Sequence, residues 1–131
     1  HIIKEKSISN DYFCGDVIVK KYIYTIMNQL DGFTTPPEHL KFLAKKLFGN
    51  CGEIIDGAIA YLEPDGGGPI NLHTHVHNHL FIVISGQAKI ILDKEEKIIY
   101  ANEAFLVKGE IPHSIWNPTR EITVMLGISV K

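Results

Sequence analysis

Cysteine is scarce in this chain: two, Cys14 and Cys51, in 131 residues. Two are too few for a disulfide scaffold, and a chain this long has no need of one. They are read as free thiols in a reducing compartment. Net charge is nearly absent as well, at −2 from 13 basic and 15 acidic residues. No global field therefore recruits nucleic acid. Lys20-Lys21 and Lys45-Lys46 are the densest basic pairs, and no stripe interleaves basic with aromatic residues as single-strand binders do. Long apolar runs are missing. The longest, residues 80–84, is far short of the ~20 that span a bilayer, and residues 1–6 hold no apolar signal-peptide core. No Ser/His/Asp set, P-loop or dinucleotide fingerprint is present. The triple glycine Gly66-Gly67-Gly68 precedes a strand pattern rather than a helix, which makes it a poor phosphate cradle. These absences leave one soluble, cytoplasmic domain with neither nucleic acid nor membrane as partner.

What the chain does have is histidine. Four of its seven, His73, His75, His77 and His79, occupy every second position of one short stretch. Neutral imidazole offers a lone pair at physiological pH and is the commonest metal ligand. Fully extended, His73 to His79 would span about 20 Å, whereas one ion holds its nitrogens at about 2.0–2.1 Å. All four cannot reach one ion from a single strand. A reversal at Val76-His77-Asn78 solves this, since Asn tolerates turn conformations. His73 and His75 then close one strand and His79 opens the next, with His77 in the turn pointing elsewhere. His113, the only later histidine, supplies a fourth ligand.

The rest of the chain reads as strands. Residues 17–19 and 22–24 are β-branched and aromatic, and Asp31-Gly32 marks a turn. From Ile54 onward, short strands are expected near 54–62, 70–75, 79–85, 87–92, 97–100, 104–107, 113–117 and 121–130. Glu63 to Pro69 is expected as a loop, and Asp93-Lys94-Glu95-Glu96 as a hairpin turn. Many evenly spaced short strands predict a sandwich or barrel. One helix is expected, over about 36–48. Thr35-Pro36-Pro37-Glu38 has the form of a capping box, Leu40, Leu43 and Leu47 keep helical spacing, and Gly49 suits a C-cap. Its polar side would leave His39 on the surface.

The spacing Gly67, His73, His75, His79, Gly86 resembles the first motif of the cupin superfamily. Asn102 to Asn117, with Pro112-His113, resembles the second. The first motif usually has Glu where this chain has His79. The second usually has Gly, Pro and Gly where this chain has Asn102, Lys108 and Glu110. The resemblance implies an all-β single-domain cupin, a jelly-roll barrel over residues 54–131. Residues 1–53 would form an N-terminal extension, a strand plus the helix, packed on it. It implies one divalent metal inside the barrel, held by His73, His75, His79 and His113.

Four neutral ligands leave the ion's full charge uncompensated, which favours anionic ligands. Imidazole suits nickel, iron and zinc, the expected metals in that order. By alternation, Phe81, Val83, Phe105 and Ile115 are expected to line an apolar pocket beside it. Similar proteins include dioxygenases, isomerases and decarboxylases, so a metal-dependent enzyme acting on a small oxygen-bearing molecule is expected. Glu63, Glu110 or a free histidine is the available base. The alternative is a non-catalytic ligand-binding or sensor barrel with a structural metal. A homodimer is expected, because cupins often pair through their sheets.

Overall fold

The computed structural model describes residues 31–131. Cys14 and the strands expected over 17–24 lie outside the described residues. Thr34–Lys131 forms one compact unit. It is built of eight strands: β1 Leu40–Phe48, β2 Ile54–His73, β3 Asn78–Ser85, β4 Gln87–Leu92, β5 Glu95–Tyr100, β6 Ala104–Val107, β7 His113–Trp116 and β8 Thr123–Val130. They form a single antiparallel sheet in the order β5-β4-β7-β2-β8-β3-β6, with β1 on the other edge of β2. The sheet curls into a nearly closed barrel. Among the described residues no helix is long and apolar enough to cross a membrane.

The helix expected over 36–48 is not there: Leu40–Phe48 is a strand. The reason is an open edge. The first half of β2 pairs with β8 on one side, and its other side would be left with bare N–H and C=O groups. β1 covers that edge, with Phe42 opposite Leu62 and Ala44 opposite Ala60. Such ladder bonds outweigh a helix propensity that differs little between residues. The leucines that suggested a helical stripe are not the buried ones. Leu40 and Leu47 are 49% and 48% exposed, whereas Phe42, on the period-2 face, is 8% exposed. The proposed cap is also broken, because Glu38 and Lys41 have φ of 61° and 49°.

A second expectation fails beside it. Glu63 to Pro69 is not a free loop but the middle of β2. The glycines permit this by letting three backbones crowd together. A Cβ on Gly67 would lie 2.7 Å from the Trp116 Cα, and one on Gly66 would strike the Lys41 carbonyl. Through this bend β2 passes from β8 to β7, with Gly67 opposite Trp116 and His73 opposite His113.

The core fills the closed part of the barrel with Leu62, Val83, Ile90, Ile99, Val107 and Met125, each at or below 1% exposure. They come from the inward positions of six strands, where alternation demands apolar residues. Cys51 is a free, exposed thiol. Asn117 fixes the start of β8 from within. Its Nδ2 donates to the carbonyls of Leu62 (2.9 Å) and Glu121 (2.7 Å), and its Oδ1 accepts from Thr119 N and Oγ1. The side chain is buried, so truncation strands partners that water cannot reach. Asn117→Ala is expected to destabilise the fold by about 3 kcal/mol, read from urea denaturation midpoints. A loss under about 1 kcal/mol would show that the network is replaceable.

Candidate metal centre

The barrel brings five histidines together at one end of the β2, β3 and β7 strands. His73 ends β2 and faces His113 directly across the β2–β7 ladder, so their rings share a face, 5.5 Å apart between centroids. The chain then reverses through 74–77 and re-enters the sheet at Asn78, as the spacing predicts. The reversal carries His79 back to His75, whose rings lie 4.5 Å apart. The His75–His113 and His79–His113 centroids are 4.9 and 5.7 Å apart.

His77 does not point elsewhere. Its ring stacks on His75 at 4.0 Å with a 6° interplanar angle, and its Nε2 lies 3.3 Å from the His79 Nε2. The ligand nitrogens fall into two groups whose members all lie within 4.8 Å of one another. One is His73, His75 and His113; the other is His75, His77 and His79. The expected four therefore do not form one group: His79 joins through His75 and His77.

Backbone carbonyls set which nitrogen is free. The His75 Nδ1 donates to the His77 carbonyl at 2.7 Å, and the His113 Nδ1 to the Ile111 carbonyl at 2.6 Å. Each bond consumes that ring's proton and leaves a lone pair on Nε2. Neither Nε2 has a partner, although both are buried, and the His79 Nδ1 is likewise buried and unpartnered. Buried polar atoms are rarely left unpaired. Protonation is a poor remedy. Burial, followed by the neighbouring imidazoles of His75, His77, His113 and His73, lowers the His79 pKa from 6.5 to about 3. His113 is also lowered, mainly by burial, with its bond to Ile111 opposing. Burial and the His75 charge lower His73 and His77 too, while Glu38 and Asp56 respectively pull them back. Neutral imidazoles with converging free lone pairs fit a divalent transition ion, which would hold them against each other without a proton.

The loop is clamped from below by Gly109. Its carbonyl accepts from His75 N at 2.9 Å, and its N–H donates to the Asn78 Oδ1 at 3.0 Å. Gly109 lies one residue before Glu110, where a glycine is expected.

A family model for the cupin domain matches residues 58–130. The chain is a cupin. No curated protein matches its sequence. Solved structures do match in fold. The cupin domain of an XRE-family transcriptional regulator from Enterobacter cloacae superposes with a TM-score of 0.62 at 19% identity, over 70% of this chain and 98% of that one. The polyketide cyclase RemF from Streptomyces resistomycificus gives 0.61 at 16% identity, over 74% and 70%. A protein described as a predicted oxalate decarboxylase, from Thermotoga maritima, gives 0.61 at 16% identity, over 72% and 90%.

Beside the histidines this cupin has a cavity of about 380 Å³, lined by His73, His79 and His113 together with Phe81 and Ile115. Val83 and Phe105, expected with them, do not line it. Val83 is fully buried in the core cluster that also holds Phe81 and Ile115, without reaching the cavity. Phe105 pairs with Phe81 on β6 and sits under the Lys97 ammonium, 5.6 Å from its ring centre.

Four polar residues of the lining were not assigned to it from the sequence: His39, Asp56, Ser114 and Ser129. Asp56 alternates with Ala58 and Ala60 on the inner face of β2 and pairs with Ser129, which in turn pairs with His79. That period-2 row was the available signal. His39 is placed there by β1. Its Nδ1 donates to the Pro37 carbonyl at 2.8 Å, and its ring packs edge-on against Phe42 and over Gly68, where a Cβ would meet it at 2.6 Å. A helix would not have delivered it to the cavity.

Proposed function

We propose that this cupin is a metal-dependent enzyme, of dioxygenase or isomerase type, acting on a small oxygen-bearing organic molecule held in the cavity. The observation that carries the reading is the set of buried, unpartnered imidazole nitrogens on His75, His79 and His113, opening beside an apolar cavity. His73, His75 and His113, whose ligand nitrogens lie within 4.8 Å of one another, supply ligands of one nickel, iron or zinc ion, and His79 stands beside them through His75. The ion contributes Lewis acidity and a template for an oxygen-bearing substrate. The protein's own part follows from its residues. Phe81, Ile115 and Met125 exclude water from the cavity. The carbonyls of His77 and Ile111 orient the ligating rings. Asp56, Ser129 and His39 offer polar contacts in the cavity lining. Likeness in fold to a polyketide cyclase and to a described oxalate decarboxylase supports an enzymatic reading, although the fold alone hosts many functions.

A sensor is the second reading. It is favoured by the likeness to a cupin domain from a transcriptional regulator, 98% of which this chain covers. A homodimer, formed through the sheet, belongs to either reading.

The test is elemental analysis of untagged protein purified without chelators, beside His113→Ala. About one transition ion per chain, lost in the variant, is the expected result. Oxygen uptake or turnover in a screen of small acids, diketones and phenols then separates the enzyme from the sensor, which retains its ligand unchanged. Metal-free protein, or metal indifferent to His113, would refute the centre.

A further inference from the structure

The five histidines form two groups that share one member, and the shared member has a single lone pair to give. His75 belongs both to the inner group with His73 and His113 and to the outer group with His77 and His79. Its Nδ1 proton is committed to the His77 carbonyl, so only Nε2 can ligate. One lone pair serves one ion at a time.

We propose that the loop carries a second ion position, made by His75, His77 and His79, that is mutually exclusive with the inner one. The inference rests on the metal-binding reading above. Three observations place it. The His77 and His79 Nε2 atoms are 3.3 Å apart, at hydrogen-bond distance with one ring's N–H facing the other's lone pair, and two nitrogens on a tetrahedral ion with bonds of 2.0–2.1 Å are also about 3.3 Å apart, so an ion can take the place of that proton. The His77–His79 rings are tilted by 59°, as are His75–His79, so the His79 ring plane crosses those of both partners. His77 is stacked parallel on His75, so the outer position requires His77 to tilt off that stack.

The two positions differ in what they face. His73 and His113 line the cavity, whereas His75 and His77 do not. An ion in the outer position is withdrawn from the cavity and touches it through His79 alone.

The experiment is a cobalt(II) titration, read by visible absorption and by competition with a chromophoric chelator. The proteins are wild type, His73→Ala, His77→Ala, the double variant and His75→Ala. Wild type is expected to take one cobalt per chain. Each single variant at 73 or 77 should still take one, weakened by about tenfold, with absorption spectra that differ from each other because each keeps only one position. The double variant and His75→Ala should lose more than about a thousandfold, a cost of roughly 4 kcal/mol. Two cobalt ions per chain would overturn exclusivity. His77→Ala with wild-type affinity and spectrum would overturn the outer position and leave the metal reading standing. Wild type that binds no cobalt would overturn both. The spectral comparison of the two single variants holds even if His75→Ala fails to fold.

Discussion

Gly109→Ala is expected to lower metal affinity by about a hundredfold while leaving the barrel folded. A Cβ at this position would lie 2.7 Å from the His75 Nδ1 and would collide with the carbonyl oxygens of His75 and His77. Backbone atoms cannot step aside as a flexible side chain would. The collision also falls on the 2.7 Å bond from the His75 Nδ1 to the His77 carbonyl, which fixes the free lone pair on Nε2. Relief requires the loop to lift, and His75, shared by both histidine groups, lifts with it. Overpacking of this kind costs about 1–3 kcal/mol, less than a barrel of this size needs to unfold. Asn78→Ala is the milder comparison, since it removes one hydrogen bond to Gly109, worth about 1 kcal/mol, and adds no clash. Chelator competition and thermal melts on both variants decide the matter. A Gly109→Ala protein with wild-type affinity would mean that the loop is held by something other than this glycine.

The importance of Gly109 was only half legible in the sequence, and the same is true of the site as a whole. Period-2 patterning revealed the strands from Ile54 onward, because each is half buried and alternates accordingly. Gln87–Leu92 and Ala104–Val107 fall where alternation puts them. The histidine reversal was legible for a different reason: no extended strand can bring residues six apart to one ion. What failed was whatever depended on a remote partner. β1 has acceptable helical spacing and a plausible cap, and nothing within it reveals that the edge of β2 lies open.

Read as a helix, Leu40–Phe48 leaves His39 on the surface and removes one wall of the cavity. The Glu63 to Pro69 stretch looks like a loop because three glycines and two prolines rarely pair. Their close approach to Lys41, Ile115 and Trp116 is a property of three chains, not of one. Period-2 alternation likewise says nothing of where a turn residue such as His77 points. Its carbonyl and its ring are both turned toward His75, which only the path of the loop decides.

Acid should destabilise the metal-free protein steeply, and His79 should set the slope. Its pKa is lowered from 6.5 to about 3, first by burial and then by the surrounding imidazoles. In the unfolded chain it titrates at its ordinary value. Between pH 6.5 and 3 the unfolded state therefore holds a proton that the folded state refuses, and stability rises with pH wherever that is so. The contribution is fully present above 6.5 and drains away as pH falls, by about 1.4 kcal/mol for each unit. His113, His73 and His77 are shifted in the same direction and steepen the loss. A bound ion acts against it, because the ion competes with protons for the same nitrogens, so the metal-loaded protein should hold its stability to lower pH. Urea midpoints across this range, on metal-free wild type and His79→Gln, measure the effect. Glutamine carries no titrating group, so its curve should be flatter by about one proton's worth of slope, roughly 1.4 kcal/mol per unit. Parallel curves would show that His79 is not the group whose burial opposes the proton, and would move that role to His113.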